Sequence, residues 1–374
     1  MNLQEIALDD AFTFHNGKAP KVNSEGQFSI FGSNGRIGFS KEFNHDSALI
    51  IGRVGAYCGS VEYSLDPFWA SDNTIIVKPR ENQNLRYWYY RLKSFPLGNY
   101  AGGAAQPLLT QGTLKPIKLW VHKNEDEQCQ IANVLTTYDD LIENNRRRIQ
   151  LLEESARLLY QEWFVHLRFP GHEQVKITDG VPEGWSHSSI GKLSSYLNRG
   201  ITPRYDEDGE FVVINQKCIR NRVLSFEQAR KQSKEFSDEK EVRIGDILVN
   251  STGTGTLGRV AQVWESVEKT CVDTHVTIVR PADEIPYLWL GYTLLSMEKR
   301  FEDMGEGATN QKELKRQYVS AVTLVRPPHS LMELFHDTFL ENTKQIQNLI
   351  KTNKALAEAR DLLLPKLMSG ELTV

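Results

Sequence analysis

The feature that most constrains this sequence is an internal duplication along its 374 residues. Three segments recur in the same order: GKAP at 17–20 matches GITP at 200–203, SDNTIIVKP matches VDTHVTIVRP, and QGTLK at 111–115 matches QKELK at 311–315. Similarity at a long, nearly constant period indicates a repeated structural unit. The first pair lies 183 positions apart and the last 200, so the sequence predicts two related domains, with an insertion of about 17 residues near IRNRVLSFEQARKQSKEF in the second.

Each copy is predicted to be a glycine-rich domain of mixed α and β structure. The segments LIIGRVGAYCGSVEYSL and DILVNSTGTGTLGRVAQVW carry β-branched and aromatic residues between glycines, as strands and their turns do. LRYWYYRLKSF and YLWLGYTLLSMEKRF are predicted to form short helices between the strands. The expected fold class is therefore α+β.

Each copy is followed by a segment whose apolar residues alternate spacings of four and three, the pattern of a coiled-coil seam. The seam positions are Tyr138, Ile142, Asn145, Ile149, Leu152, Leu159 and Trp163 in the first segment, and Phe339, Asn342, Ile346, Leu349, Leu356 and Leu363 in the second. A helix of about 38 residues would be roughly 57 Å long at 1.5 Å per residue. We expect two long helices that pack antiparallel, with Asn145, Asn342 and Asn353 setting the register. Solvated faces of an ordinary helical bundle are the alternative.

Composition excludes several classes of protein. No apolar run approaches the roughly 20 residues that span a membrane, and the acidic start MNLQEIALDDAF lacks the parts of a secretory signal. The four cysteines stand singly, without the spacing of zinc ligands. The net charge of -4 is unusual for a protein that holds nucleic acid alone. We expect a cytoplasmic protein without metal or membrane association.

The segment Gly253–Gly258 matches the dinucleotide-binding pattern G-x-G-x-x-G and follows the strand-like DILVN. That site needs a helix after the glycines, with its N-terminus toward the pyrophosphate. The sequence RVAQVW alternates as a strand does. We therefore expect a hairpin loop, either purely structural or close to a partner such as DNA, and no bound cofactor.

Several segments carry a family resemblance: ESARLLYQEWFVHLRFPG closes the first half, GWSHSSIGKL opens the second domain, and ARDLLLPKLMSGEL closes the chain. In these segments, and in its order of domain, helix, domain and helix, the chain resembles the specificity subunit of type I restriction-modification systems. The resemblance implies target-recognition domains at 1–123 and 171–328, and conserved spacer helices at 124–170 and 329–374, related by a pseudo-two-fold repeat.

What the resemblance implies about function is specific. Each recognition domain would read half of a bipartite, asymmetric site on double-stranded DNA, and the helices would fix the unread spacer. The subunit itself would do no chemistry. It would dock two methyltransferase subunits, which use S-adenosylmethionine, and restriction subunits, which use ATP and Mg. For Leu159 and Trp163, packing against the returning helix and docking of a methyltransferase subunit both remain open.

Base reading in the major groove uses Arg or Lys for guanine and Asn or Gln for adenine. Such residues cluster in the Gly-rich loops, although a solvated surface is the alternative for any single one. The candidates in the first domain are Lys18, Lys21, Asn34, Arg36, Arg53, Tyr57, Gln106 and Gln111. Those in the second are Arg199, Arg204, Asn215, Lys217, Arg220, Arg222, Asn250, Thr252, Thr254, Arg259, Asn310, Gln311 and Lys312.

Enzyme motifs are absent from the sequence. It contains neither the [Asn/Asp]-Pro-Pro-[Tyr/Phe] tetrapeptide of amino-methyltransferases, nor a phosphate-binding loop, nor H-E-x-x-H. We therefore expect no catalytic residues. Two alternatives remain: a self-sufficient DNA methyltransferase or nuclease with similar recognition domains, and a coiled-coil scaffold that binds only proteins.

Overall fold

The computed structural model describes residues 3–20, 22–23, 25–80, 83–103, 107–265, 268–307 and 312–374. The chain divides into two compact units. The first contains residues 1–145 and 352–374, and the second contains residues 146–351. This division cuts through both long helices, so the four boundaries expected from the resemblance stay a prediction.

In its described residues, the first unit contains nine strands, three short α-helices and parts of the two long helices. Its strands are β1 Leu3–Ala7, β2 Phe12–Asn16, β3 Phe28–Gly32, β4 Gly35–Ser40, β5 Ala48–Gly52, β6 Val61–Ser64, β7 Trp69–Ala70, β8 Thr74–Pro79 and β9 Lys118–His122. Its helices are α1 Leu8–Ala11, α2 Leu85–Lys93 and α3 Gln111–Leu114, followed by the long α4 Glu125–Tyr160.

The second unit begins within α4, which a π-helical turn, Gln161–Val165, extends. Its strands are β10 Ile177–Thr178, β11 Val181–Pro182, β12 Ser186–Ser189, β13 Ser194–Arg199, β14 Phe211–Ile214, β15 Ile219–Arg220, β16 Val223–Leu224, β17 Arg230–Gln232, β18 Ile247–Asn250, β19 Val260–Gln262, β20 Thr270–Val272, β21 Val276–Pro281 and β22 Thr323–Arg326. Its helices are α5 Tyr287–Leu295, α6 Glu298–Asp303, α7 Arg316–Ala321 and the long α8 His329–Met368, which ends in the first unit.

The two units contain the same sheets in the same strand order. The first unit has β1-β9, β2-β8-β5-β6 and β4-β3-β7, and the second has β12-β22, β13-β21-β18-β19 and β17-β14-β20. In these sheets only β3 with β7 and β14 with β20 pair in parallel, and these two pairs are equivalent. The predicted duplication and α+β class are confirmed.

The insertion predicted in the second copy is also found. In the first unit a turn of two residues, 33–34, joins β3 to β4. In the second unit, residues 215–229 join the equivalent strands β14 and β17 and include the extra hairpin β15-β16. The two domains therefore differ next to a shared framework.

Apolar runs explain the central strands. All five residues of β5, ALIIG, are buried. Leu49 and Ile51 belong to the core that contains Trp88 of α2, whereas Ile50 packs with Phe68 in the core on the other face. A strand that is apolar on both faces is typical of a sheet covered on two sides. The loops at its ends are consequently held on a rigid support.

The entry turn of each copy requires a residue without a side chain. A Cβ atom added to Gly17 would lie 1.8 Å from the carbonyl oxygen of Ser71, and one added to Gly200 would lie 1.7 Å from that of Val272. Both distances are far below van der Waals contact. The repeated glycine therefore fixes the path of the chain where it leaves β2 and β13.

Within the first unit, α4 and α8 contact each other in antiparallel directions. Asn145 donates from Nδ2 to Oδ1 of Asn353 at 2.9 Å, and the Arg360 guanidinium pairs with the Asp139 carboxylate. As residue numbers rise along α4, those of the contacts on α8 fall. Arg360, a charged residue within the second seam, thus has an acidic partner inside the unit.

The end of the chain completes the core of the first unit. Leu364, Leu367 and Met368 of α8 are buried in the same core as Leu135 of α4. α8 continues through Pro365 and ends at Met368. The C-terminal turns of this helix are therefore an integral part of the first unit.

Within the second unit, the contacts between the two helices also run antiparallel. The rings of Tyr160 and Phe335 lie 6.1 Å apart, and Ile149 and Ile350 line one cavity. Ile142, Phe339, Ile346 and Leu349 are buried, and the other nine predicted seam residues are half-buried. Among the described helices, none combines the length and apolar character needed to cross a membrane.

Candidate nucleic-acid interface

In the first unit, several predicted DNA-binding residues lie at one end of the four-stranded sheet, where its strands begin or end. We call this end of the sheet the first edge. β2 and β5 end at this first edge and β8 begins there, because β8 is antiparallel to both. The Gly17 amide donates to the Thr74 carbonyl at 3.3 Å, and the Arg53 amide donates to the Asn73 carbonyl at 3.1 Å. Lys18, which is exposed, therefore lies at the same edge as Arg53.

The turn between β3 and β4 joins the first edge through Ser33. The Ser33 hydroxyl donates to the Asn73 carbonyl at 2.7 Å and accepts from the Val54 amide at 3.3 Å. Asn34 follows in this turn and is exposed, and Tyr57 in the β5–β6 loop is 52% exposed. Two loops and a turn thus present polar and aromatic groups to solvent.

Two further predicted residues of the first unit differ in their surroundings. Gln111, which begins α3, donates from Nε2 to Oδ1 of Asn16 at 3.0 Å. Arg36 lies on β4, with its guanidinium carbon 5.4 Å from the centroid of the Phe39 ring. Gln111 is therefore tied to the end of β2 at the first edge, whereas Arg36 belongs to the neighbouring sheet.

Arg53 retains an unused hydrogen-bond donor. Its side chain is half-buried, and its Nε is buried without a hydrogen-bond partner among the described residues. A buried donor left unpaired costs about 1–3 kcal/mol. An acceptor on a bound ligand, such as a phosphate or a guanine edge, would offset that penalty.

The second unit has an equivalent edge, where β13 and β18 end and β21 begins. At this second edge the Ser251 amide donates to the His275 carbonyl at 2.8 Å, and Thr252 Oγ1 lies 2.5 Å from His275 Nδ1. Residues 253–258 form a loop between the antiparallel strands β18 and β19, with Thr254 exposed. The predicted hairpin is confirmed, because β19 stands where a dinucleotide site would need a helix.

Two predicted asparagines support loops with their amide groups. Asn250 is fully buried and donates from Nδ2 to the carbonyls of Gln216 at 3.0 Å and Thr256 at 3.1 Å. Asn215 donates to the Gln228 carbonyl at 2.6 Å and accepts from the Lys217 amide at 2.8 Å. These contacts give both residues a structural role at the second edge.

Three predicted arginines contact protein acceptors. Arg199 pairs with Glu313 and donates to the Leu314 carbonyl at 2.8 Å. Arg222 donates to Glu298 at 3.0 Å, and Arg259 donates to a backbone carbonyl at 3.4 Å. The predicted basic residues that are exposed in this unit, apart from Arg222, are Arg204, Lys217, Arg220 and Lys312. Lys21, Gln106, Asn310 and Gln311 lie outside the described residues.

Sequence reasoning missed Tyr205, Arg230 and His275, which line one groove beside the second edge. Tyr205 directly follows the predicted Arg204, and Arg230 is the first residue after the inserted segment. No motif joins them. The insertion was the sequence signal that could have indicated Tyr205 and Arg230, because a segment present in only one copy marks where the two domains differ.

Comparison with known proteins places this geometry in a family. Residues 2–154 match the model of the type I restriction modification DNA specificity domain. A specificity subunit of the type I restriction enzyme MjaIX, from Methanocaldococcus jannaschii, is 26% identical over 334 residues, which cover 84% of this chain and 76% of that protein. Over most of its length the chain is therefore similar in sequence to specificity subunits of type I restriction enzymes.

Other proteins similar to this chain agree. The HindI specificity subunit of Haemophilus influenzae is 22% identical, with 83% of each chain covered. A crystal structure of the S subunit of a type I system from M. genitalium superimposes with a TM-score of 0.61 at 18% identity, covering 98% of this chain and 96% of that one. The structural likeness supports the fold, and the sequence matches support the family.

Glu153 on α4 makes the stability of the second unit depend on pH. Burial raises the pKa of its carboxyl group from 4.5 to about 7. Because the folded state favours the protonated form, this group destabilises the fold increasingly as the pH rises from the unfolded pKa through the folded one. We expect Glu153→Gln to raise the free energy of unfolding by about 1–3 kcal/mol at pH 8 and by much less at pH 5.

Urea unfolding at both pH values measures this effect. Glu154→Gln is the matched control, because Glu154 is exposed on the same helix and no such gain is expected there. An equal change for Glu153→Gln at pH 5 and pH 8 would contradict the assignment.

Proposed function

We propose that this chain is the non-catalytic subunit that gives a type I restriction-modification complex its DNA sequence preference. Each unit reads one half of a bipartite, asymmetric site on double-stranded cytoplasmic DNA. The observation that carries the proposal is the equivalence of the two edges: the same sheet, in the same strand order, supports different polar loops in each unit. Polar side chains on loops that a rigid framework positions are suited to reading base edges.

The long helices are proposed to be the spacer. α4 contains 36 residues and α8 contains 40. In the proposed layout they form an antiparallel coiled coil that holds the recognition domains apart. A helix of 36 residues is about 54 Å long, against roughly 34 Å for a turn of B-DNA, so half-sites one to two turns apart fit this length.

Partner subunits are proposed to bind the exposed face of α4. Leu151 and Leu158 of α4 and Val165 of the π-helical turn that follows it are spaced by seven residues and are 70%, 50% and 55% exposed. We call these three residues the apolar stripe. Large apolar residues exposed in a group often mark a protein interface. The proposed partners are two methyltransferase subunits and, in addition, restriction subunits. They would carry S-adenosylmethionine, ATP and Mg, and would hold much of the phosphate backbone, consistent with the low charge of this chain.

Mapping of methylated adenines tests the proposal directly. The chain would be co-expressed with the methyltransferase subunit encoded beside it, and modified adenines would be located throughout the host DNA. We expect a single bipartite, asymmetric motif. Absence of a motif, or methyl transfer by the purified chain alone, would overturn the proposal. An unchanged motif after exchange of one unit's loops would favour a protein-only scaffold.

If the long helices set the spacer, shortening them should change the spacer length in the methylation map without changing the half-sites. Removal of one heptad from each helix, residues 142–148 and 351–357, should shorten the unread spacer and leave both half-sites unchanged, because no edge residue is altered. Removal of the heptad from α4 alone is the comparison, and it should disrupt pairing of the seams. A change in the half-sites themselves would show that the helices do more than measure distance.

A further inference from the structure

Beside the second edge lies a groove of about 350 Å³ that has mixed charge. Lys217 and Arg230 line it together with Glu227 and Asp273. We call it the stacked groove, after the contact between Arg230 and Tyr205.

The guanidinium of Arg230 is held on an aromatic ring. Its central carbon lies 3.6 Å from the centroid of the Tyr205 ring, and both side chains are exposed. The backbone of Tyr205 is fixed next to β17 by a bridge to Gln232. A stacked guanidinium is oriented before a ligand arrives, so less side-chain entropy is lost when it binds.

Asp273 and His275 contribute another part of the groove lining. Asp273 is 2% exposed and accepts from the His275 amide at 2.8 Å, while the His275 ring contacts Thr252. Burial raises the pKa of the Asp273 carboxyl group. Through Thr252, this part of the lining is connected to the second edge.

The mixed charge of the groove helps to decide whether it would bind a DNA phosphate or the edge of a base pair. A phosphate site favours an excess of positive charge, and the exposed carboxylate of Glu227 opposes it. A base pair presents donors and acceptors together. Guanine offers the acceptors O6 and N7, which suit arginine, and cytosine offers the N4 amino group, which suits a carboxylate.

We propose that Arg230, stacked on Tyr205, reads the guanine of one G·C pair, and that Glu227 reads its cytosine. The inference rests on the proposed function, because it names which base pair the second unit recognises. The first unit has no equivalent groove wall among its described residues, since two residues replace the segment 215–229 there. The G·C contact is thus confined to one half-site.

Methylation maps of variants in the assembled complex test this inference. In the map of the unaltered chain, one half-site should contain a G·C pair. Arg230→Ala and Arg230→Lys should each make that position degenerate, with discrimination reduced about 5- to 150-fold, as for loss of a bidentate base contact. Glu227→Gln should weaken the preference at the same position. Tyr205→Phe keeps the ring and should keep the motif. Lys231→Ala, at an exposed position next to Arg230 on β17, should leave that position unchanged.

The outcomes separate the inference from the proposed function. If the unaltered chain gives no bipartite motif, the proposed function fails and this inference fails with it. If the motif appears but Arg230→Ala leaves both half-sites intact, the inference alone fails. A uniform loss of affinity for all sequences, with the salt slope reduced by about one, would instead assign Arg230 to a phosphate. Thermal unfolding of each variant complex confirms that a changed map does not come from misfolding.

Discussion

Arg280→Ala should lower the free energy of unfolding of the second unit by about 3–5 kcal/mol, the usual effect of removing one partner from a buried ion pair. The Arg280 side chain is 13% exposed and that of Asp246 only 1%. Two 2.8 Å hydrogen bonds join the guanidinium to the carboxylate, and a third, of 2.7 Å, reaches the Glu241 carbonyl. Without the arginine, a carboxylate remains buried and unpaired.

Hydrogen exchange and urea unfolding would measure this loss. Lys78→Ala is the matched control, because Lys78 precedes the proline of β8 as Arg280 precedes that of β21, and no ion pair of Lys78 is found among the described residues. The control should change stability by less than about 0.5 kcal/mol. The double variant Arg280→Ala/Asp246→Ala should lose less stability than the sum of the two single variants, because it leaves no unpaired charge in the core. Strict additivity would contradict the ion-pair explanation.

Replacement of Leu151 and Leu158 by glutamate should abolish co-purification of the methyltransferase subunit. Both leucines are at least half exposed in the second unit, so the substitutions should leave its folding intact. If the interface buries these side chains at its centre, each substitution should weaken binding by about 2 kcal/mol or more. Loss of binding without loss of stability would identify the apolar stripe as the docking surface.

Co-expression followed by affinity purification provides the measurement. Gln345→Glu with Asn348→Asp is the control, since this pair adds the same two negative charges at exposed positions of α8 in the same unit. If the double leucine variant still carries the methyltransferase subunit in full amount, docking must use another surface. If it unfolds, the stripe has a structural role that its exposure does not indicate.

Much of the framework was predictable because its signals are repeated or continuous. The two seams, the apolar runs of β5 and β18 and the repeated glycines Gly17 and Gly200 each rest on a physical requirement visible in the sequence. The place of the insertion followed from a change in the repeat period. The position of the Gly253–Gly258 loop followed from the strand-like residues after it.

The candidate site was less predictable, since the same residue types serve two purposes. Asn250 and Asn215 have the chemistry of adenine readers, yet burial and backbone carbonyls commit their amide groups to loop support. Tyr205 and Arg230 are 25 positions apart, and only the folding of β14 and β17 brings their side chains together. Pairings of this kind depend on tertiary structure rather than on spacing.

The composition of the two units has a consequence for synthesis on the ribosome. The second unit is continuous in the sequence, whereas the core of the first includes Leu364, Leu367 and Met368 from the last turns of α8. Translation supplies residues from the N-terminus onward. The first unit is therefore the first to be synthesised but cannot complete its core until the end of α8 has been translated. Until then, the apolar side chains that pack against Leu364, Leu367 and Met368 remain uncovered.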